Sequence, residues 1–213
     1  MTPIEKIKIL RDVSSGLQAL HLNNVVHRNV KTQNVLLMEK ITNETDIVSV
    51  KLGDYGEVYH LDSEEFIYIK ENIKDLDEFD CLTEYNGTIQ YAPSEILQGD
   101  LRLLTTKADI YSFGILIWEV FTERIPFDKS GMDLMRLCEK IIDENLTPLY
   151  EKDSNGEMKK IEYLPGTPKE IEELVNKCLS TDPQKRPSID QVCDSLLIIH
   201  MENKYIKINN FQN

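Results

Sequence analysis

The sequence predicts a mainly α domain, a helical bundle with a few short β-strands and one buried central helix. Three observations carry this. The segment from Thr106 to Phe121 is apolar on nearly every side of a helix, with Ile110, Phe113, Ile115, Leu116, Ile117, Trp118, Val120 and Phe121, and such a helix belongs at the centre of a domain. Four other stretches join a cap signal to apolar residues at spacings of three and four. The strand-like runs, by contrast, are short and Val/Leu/Ile-rich. At 213 residues the chain is long enough to bury a substantial single core.

Each element has its own local reason. Thr2 caps the first helix, Pro3 suits its first position and Glu5 completes a capping box; Leu10, Val13, Leu17 and Leu20 form its apolar stripe. Gly16 lies on that stripe, where close packing is the expected reason for it. Asn23 and Asn24 end the helix. Val25-Val26 and Val35-Leu36-Leu37 read as two short strands, and residues 47–52 as a third. Residues 57–90 show no sustained period and read as a long loop. Thr105 or Thr106 caps the central helix, and Arg124-Ile125-Pro126-Phe127 stops it. Ser130 is expected to begin a helix with Leu134, Leu137 and Ile141 on one face. Thr167-Pro168-Lys169-Glu170 reads as a second capping box, ahead of Ile171, Leu174, Val175 and Cys178. Ser188 with Gln191 caps the last helix, expected to run from Ile189 to about His200. Asp153 to Gly156 marks a surface loop.

The formal net charge of −13 argues against nucleic acid or an anionic membrane as the main partner. Much of the acidity falls in residues 62–80, a run that reads as a solvated loop. Cys81, Cys138, Cys178 and Cys193 form no C-x-x-C pair, so neither a zinc site nor a disulfide framework is indicated. The N-terminus lacks an apolar signal core, and no apolar run is long enough to span a bilayer. A reducing, cytoplasmic setting is the expectation.

Five motifs in order carry the chemistry. His27-Arg28-Asn29, with Lys31 and Asn34 following, resembles the protein-kinase catalytic loop H-R-D-x-x-x-x-N. Asp54-Tyr55-Gly56 resembles D-F-G. Gly87-Thr88 through Tyr91 to Glu95 resembles G-T-x-x-Y-x-A-P-E, with Pro93-Ser94 in place of Ala-Pro. Asp109-Ile110-Tyr111-Ser112-Phe113-Gly114 resembles D-V-W-S-F-G, and Asp182-Pro183 to Arg186-Pro187 resembles D-P-x-x-R-P. Together they are similar to the C-terminal lobe of the protein kinase superfamily, of tyrosine-kinase-like or Ser/Thr type.

The resemblance implies roles. Asn29 stands where the family has the Asp that accepts the substrate hydroxyl's proton, and a carboxamide has no such basicity. Asn34 and Asp54 are the implied holders of magnesium and, through it, ATP. Lys31 is the implied phosphate contact, with a solvated loop lysine as the alternative. Gly56 is expected to permit the turn after Asp54. Asp109, the Glu95–Arg186 pair, His27 and Tyr55 are implied to be architectural: Asp109 ties down the catalytic loop, and the His27 and Tyr55 rings pack in the core. Thr88 is read as structural, while Thr83 and Tyr85 read as ordinary loop residues or phosphorylation sites.

The family's N-terminal lobe supplies a Gly-rich loop, a strand Lys and a helix Glu. No G-x-G-x-x-G occurs among the nine glycines. The expectation is therefore a kinase-like C-terminal lobe over 1–200 without its N-terminal lobe, with 201–213 as a C-terminal tail. The missing lobe, or a protein partner, is expected to cover an exposed apolar face, and ATP and Mg binding is expected to be weak or absent. The functional reading is an impaired kinase-like module acting by binding. Its alternatives are a protein kinase domain that transfers the ATP γ-phosphate to Ser/Thr or Tyr once completed by an N-terminal lobe, and a decayed product. Long excursions at 39–49 and 62–80 read as surface insertions or as a regulatory flap.

Overall fold

The computed structural model describes residues 1–38, 49–64, 67, 87–99, 101–153 and 155–210. The excursions at 39–48 and over most of 62–80, with Cys81, Thr83 and Tyr85, lie outside the described residues.

The chain opens on helix α1 (Pro3–His21), whose capping box forms as expected: the Thr2 N–H donates to Glu5 Oε2 at 2.6 Å and the Glu5 N–H to Thr2 Oγ1 at 3.4 Å. Strand β1 (Val25–Val26) follows, then a 3₁₀ turn at Thr32–Asn34 and strand β2 (Val35–Leu37). Strand β3 (Val50–Leu52) pairs antiparallel with β2, Leu36 opposite Lys51. Strand β4 (Tyr59–His60) pairs with β1, inside the stretch expected to be all loop; two residues are too few to show a period. The short helix α2 (Ser94–Leu97) precedes the central helix α3 (Thr106–Thr122), which Thr105 caps.

Helix α4 spans Leu134–Glu144 and is capped by Asp133, whose carboxylate accepts from the Arg136 N–H at 2.9 Å. Ser130 does not begin it: Ser130 ends a 3₁₀ turn, and Gly131, at φ 63°, breaks the path between them. A hairpin, β5 (Tyr150–Lys152) and β6 (Met158–Lys160), brackets the expected loop at 153–156. Its strands are mostly charged and show no apolar alternation to read.

Helix α5 (Lys169–Cys178) has Pro168, not Thr167, at its cap. The Thr167 hydroxyl is engaged elsewhere, donating to the Leu164 carbonyl at 2.7 Å. Helix α6 spans Ile189–Asn210, ten residues beyond the expected end. Nothing after Pro187 is Gly or Pro, so no residue there stops a helix; the helix runs through the expected boundary at 200 into the segment read as tail. At its start Ser188 and Gln191 exchange side-chain-to-backbone bonds as expected.

Helix α3 is buried without interruption from residue 108 to 118. Around it one continuous core joins Leu10, Val13 and Leu17 of α1, Leu52 of β3, Ile171 and Val175 of α5, and Val192 and Leu196 of α6. The close approach of α3 and α5 centres on Gly114: a Cβ built there would meet Cys178 Cβ at 2.6 Å and Leu179 Cδ2 at 3.1 Å. Gly114→Ala is therefore expected to destabilise the chain by about 1–3 kcal/mol through overpacking, read as a lower midpoint in urea. At Gly16 a Cβ would lie 3.7 Å from Leu52 Cβ, an ordinary contact. Close packing does not require glycine there, contrary to the expectation.

Candidate functional site

The loop between β1 and β2 is held from below by α3. Asp109, on the first turn of α3 and fully buried, accepts from the His27 N–H at 2.7 Å through Oδ2 and from the Arg28 N–H at 2.9 Å through Oδ1. His21 Nε2 lies 2.9 Å from the same Oδ2. Arg28 adopts φ 67°, left-handed backbone for a non-glycine residue, and its guanidinium stacks 4.6 Å from the Tyr59 ring of β4.

His27 is fully buried. Its Nε2 faces the Gly53 carbonyl at 3.1 Å, and its Nδ1 accepts from the Asn29 N–H at 3.3 Å. This pairing places the proton on Nε2 of a neutral ring, and burial lowers its pKa below the usual imidazole value. The ring therefore joins the loop to the segment carrying Asp54. Tyr55 does not share this burial. Its ring meets His27 at 5.4 Å and its hydroxyl donates to the Leu52 carbonyl at 2.8 Å, but it is 52% exposed. The expectation of two core rings holds for His27 alone, because an aromatic ring touched on one face and anchored by its hydroxyl leaves the other face open.

The four residues singled out for chemistry meet in one network. Asn29 Nδ2 donates to Asp54 Oδ2 at 2.9 Å, and Asn34 Nδ2 donates to the same oxygen at 3.2 Å and to the Asn29 carbonyl at 2.7 Å. Lys31 Nζ donates to Thr88 Oγ1 at 2.8 Å, and the Thr88 hydroxyl donates to Asn29 Oδ1 at 3.0 Å. Lys31 is thus not simply a solvated loop lysine, and Thr88 has a structural role. The left-handed residue of the turn is Asp54, at φ 63°, rather than Gly56. Asp tolerates this region better than most residues because it is short and polar.

The sequence reading missed a second polar cluster. The Thr32 hydroxyl donates to Glu119 Oε2 at 2.9 Å, and the Tyr91 hydroxyl donates to the same oxygen. Burial raises the pKa of Glu119 above the usual carboxylate value and that of Tyr91 above the usual phenol value. These bonds tie the loop and the Ile89–Tyr91 turn to α3. The signal was present: Glu119, an acid in the apolar second half of α3, has to find partners.

Asp54 and Asn34 offer hard oxygen donors of the kind Mg²⁺ takes alongside substrate phosphates. With Asn29 in the loop, Asp54 is the one carboxylate among Asn29, Lys31, Asn34 and Asp54, and no group of three His, Cys, Asp or Glu side chains suited to a metal occurs among the described residues. The donor type fits magnesium, with one carboxylate to supply charge. No helix among the described residues is long and apolar enough to cross a membrane.

A mainly helical domain with few short strands and a loop pinned to a central helix is the architecture expected from the five motifs. The protein kinase domain family model matches residues 1–198, and the chain belongs to that family. It is 31% identical over 211 residues to the probable serine/threonine-protein kinase gdt2 of Dictyostelium discoideum, covering 99% of this chain and 11% of the relative. It is 31% identical over 198 residues to the dual specificity protein kinase shkA of the same organism, covering 91% and 31%. A putative serine/threonine-protein kinase/receptor, R826, of Acanthamoeba polyphaga mimivirus is 28% identical over 191 residues, covering 90% and 10%. The chain thus spans between a tenth and a third of the length of these curated relatives. As a family, such domains use ATP and Mg²⁺.

Proposed function

We propose that the chain is the C-terminal lobe of a protein kinase-like domain with impaired phosphoryl transfer, acting as a binding and regulatory module in a cytoplasmic setting. The observation that supports this best is the Asn29 side chain. Its Nδ2 donates to Asp54 and its Oδ1 accepts from Thr88, so neither end is a free proton acceptor, and a carboxamide is not basic in any case. Loss of a positioned general base costs roughly 10²–10⁴ in rate.

Asp54 and Asn34 are the residues that would hold Mg²⁺, and Lys31 is the residue near a transferring phosphate. Held there, the ion would supply charge neutralisation for a nucleotide's phosphates. The amide donors on Asp54 Oδ2 and the Lys31–Thr88 bond would compete with such an ion and phosphate, and weak nucleotide binding is the expected result. Leu36, Leu37 and Tyr55, each more than half exposed, flank this loop, and exposed apolar groups of this kind favour a covering surface. Its proposed occupant is a kinase-type N-terminal lobe, from the same polypeptide or from a partner.

The test is phosphate transfer from labelled Mg·ATP to a generic protein substrate, with Asp54→Ala as the blank. The expected result is incorporation no higher than the blank. Incorporation well above it, abolished by Asp54→Ala, overturns the impaired reading in favour of a kinase acting on Ser/Thr or Tyr.

A further inference from the structure

We propose that α6 pairs in parallel with the α6 of a second copy of this chain, through an apolar stripe on the side turned away from its own core. Helix α6 spans Ile189–Asn210. Val192, Leu196 and Ile199 on one side of it are buried in the core. Leu197, Ile198 and Met201 are 42, 57 and 46% exposed. At about 3.6 residues per turn, these three lie roughly 180° around the helix from the buried three. The helix therefore has two opposite apolar sides, and its own domain covers one of them.

Spacing indicates what suits the other side. Ile198 and Met201 are followed in the sequence by Tyr205 and Ile208, so apolar residues recur at intervals of three, four and three. This is the pattern of a helix lying along a second helix, not of one docked on a flat surface or in a pocket. The stripe begins abruptly. One and two turns before it, the same side carries Asp194 and Asp190, both exposed, and Asp190 is engaged by the Gln18 amide at 2.6 Å. The pairing stretch is thus 197–208, and the two helices part before it.

A partner helix also accounts for the length of α6. Ile199 is its last buried residue among the described ones, yet the helix continues to Asn210. A short helical overhang with no core beneath it is marginal in water and gains from another helix to lie against. A second copy fits because the stripe is complementary to itself across a two-fold axis along the helix. Flanking charges set the direction. Positions 202 and 204, a Glu and a Lys, lie on opposite flanks of the stripe. In a parallel pair each flank joins a Glu of one copy with a Lys of the other, whereas an antiparallel pair sets like charges together. Since the stripe lies opposite the core side, the two domains fall on the outer sides of the pair and do not collide.

A seam of two heptads is small, so the dissociation constant is expected to be on the order of 10–100 μM. The test is sedimentation equilibrium of the full chain from well below to well above that range, where monomer should give way to dimer. Met201→Glu sets like charges face to face and should raise the dissociation constant at least about tenfold. Met201 is exposed, so the thermal midpoint of the monomer should not move. Leu36→Glu, on the face beside Asp54, should leave the dimer as it was. In a parallel pair residue 201 faces its own counterpart, so Met201→Cys should give a disulfide-linked dimer on mild oxidation, well above the wild-type chain treated alongside.

Four results overturn the proposal: a monomer at every concentration, a dimer that Met201→Glu leaves as tight as wild type, a dimer weakened by Leu36→Glu instead, or a Met201→Cys chain that cross-links no more than wild type. If Met201→Glu fails to fold, Ile198→Glu decides in the same way. Pairing through α6 goes beyond the impaired reading. Phosphate incorporation would defeat that reading and leave the sedimentation results unchanged, so the two can fail separately.

Discussion

Asp109→Ala should cost about 3–5 kcal/mol of stability, since it strips the acceptor from several buried donors at once. The carboxylate is fully buried and holds the His27 and Arg28 N–H groups at 2.7 and 2.9 Å, with His21 Nε2 at 2.9 Å. Each buried donor left without a partner loses about 1–3 kcal/mol. Arg28 also sits in left-handed backbone at φ 67°, a conformation that persists only when its surroundings hold it. The midpoint of thermal unfolding should fall on the order of 10 °C. Asp109→Asn, which keeps the volume and one oxygen, should lose less than alanine. Urea titrations placing Asp109→Ala within about 1 kcal/mol of wild type would show that the loop is held by something other than α3.

Arg186→Ala is the second large effect, again about 3–5 kcal/mol, because it leaves a buried carboxylate unpaired. The guanidinium grips Glu95 with both ends, NH1 to Oε1 at 2.5 Å and NH2 to Oε2 at 3.0 Å. Its Nε donates to the Ser180 carbonyl at 2.8 Å, and its plane lies 5.0 Å from the Tyr111 ring. Arg186→Lys should recover little, since an ammonium cannot serve two carboxylate oxygens and a carbonyl in one plane. The double variant Arg186→Met with Glu95→Leu should be more stable than Arg186→Ala, because no charge is then buried alone. A double variant less stable than the single one would sink this account.

The helices were legible because each writes its own signals locally. Thr2 with Glu5, Thr105, and Ser188 with Gln191 cap where the sequence says they do, and the stripe of Leu10, Val13 and Leu17 faces the core. What was misread had no local signal or a misleading one. Thr167 resembles a cap but spends its hydroxyl on Leu164. Strand β4 and the charged hairpin at 150–160 exist through pairing with a distant or mirror segment, not through their own pattern.

The same division runs through the site. Asn29, Lys31, Asn34 and Asp54 could be named from the family resemblance that the order and spacing of the motifs carry, as could the Asp109 and Glu95–Arg186 ties. Their hydrogen bonds could not. That Lys31 turns to Thr88, that Tyr55 stays half open, and that Thr32 and Tyr91 converge on Glu119 depends on segments up to 87 residues apart in the chain being folded against α3.

By itself the sequence determined the class of domain, the helical frame and the identity of the group at position 29, because propensity, capping and side-chain chemistry are properties of short stretches. Only the tertiary structure decided what that group does. Asn29 carries a donor and an acceptor; its donor faces Asp54, whose carboxylate only accepts, and its acceptor takes the Thr88 hydroxyl from 59 residues away in the chain. Direction along a hydrogen-bond chain is fixed by its partners in space.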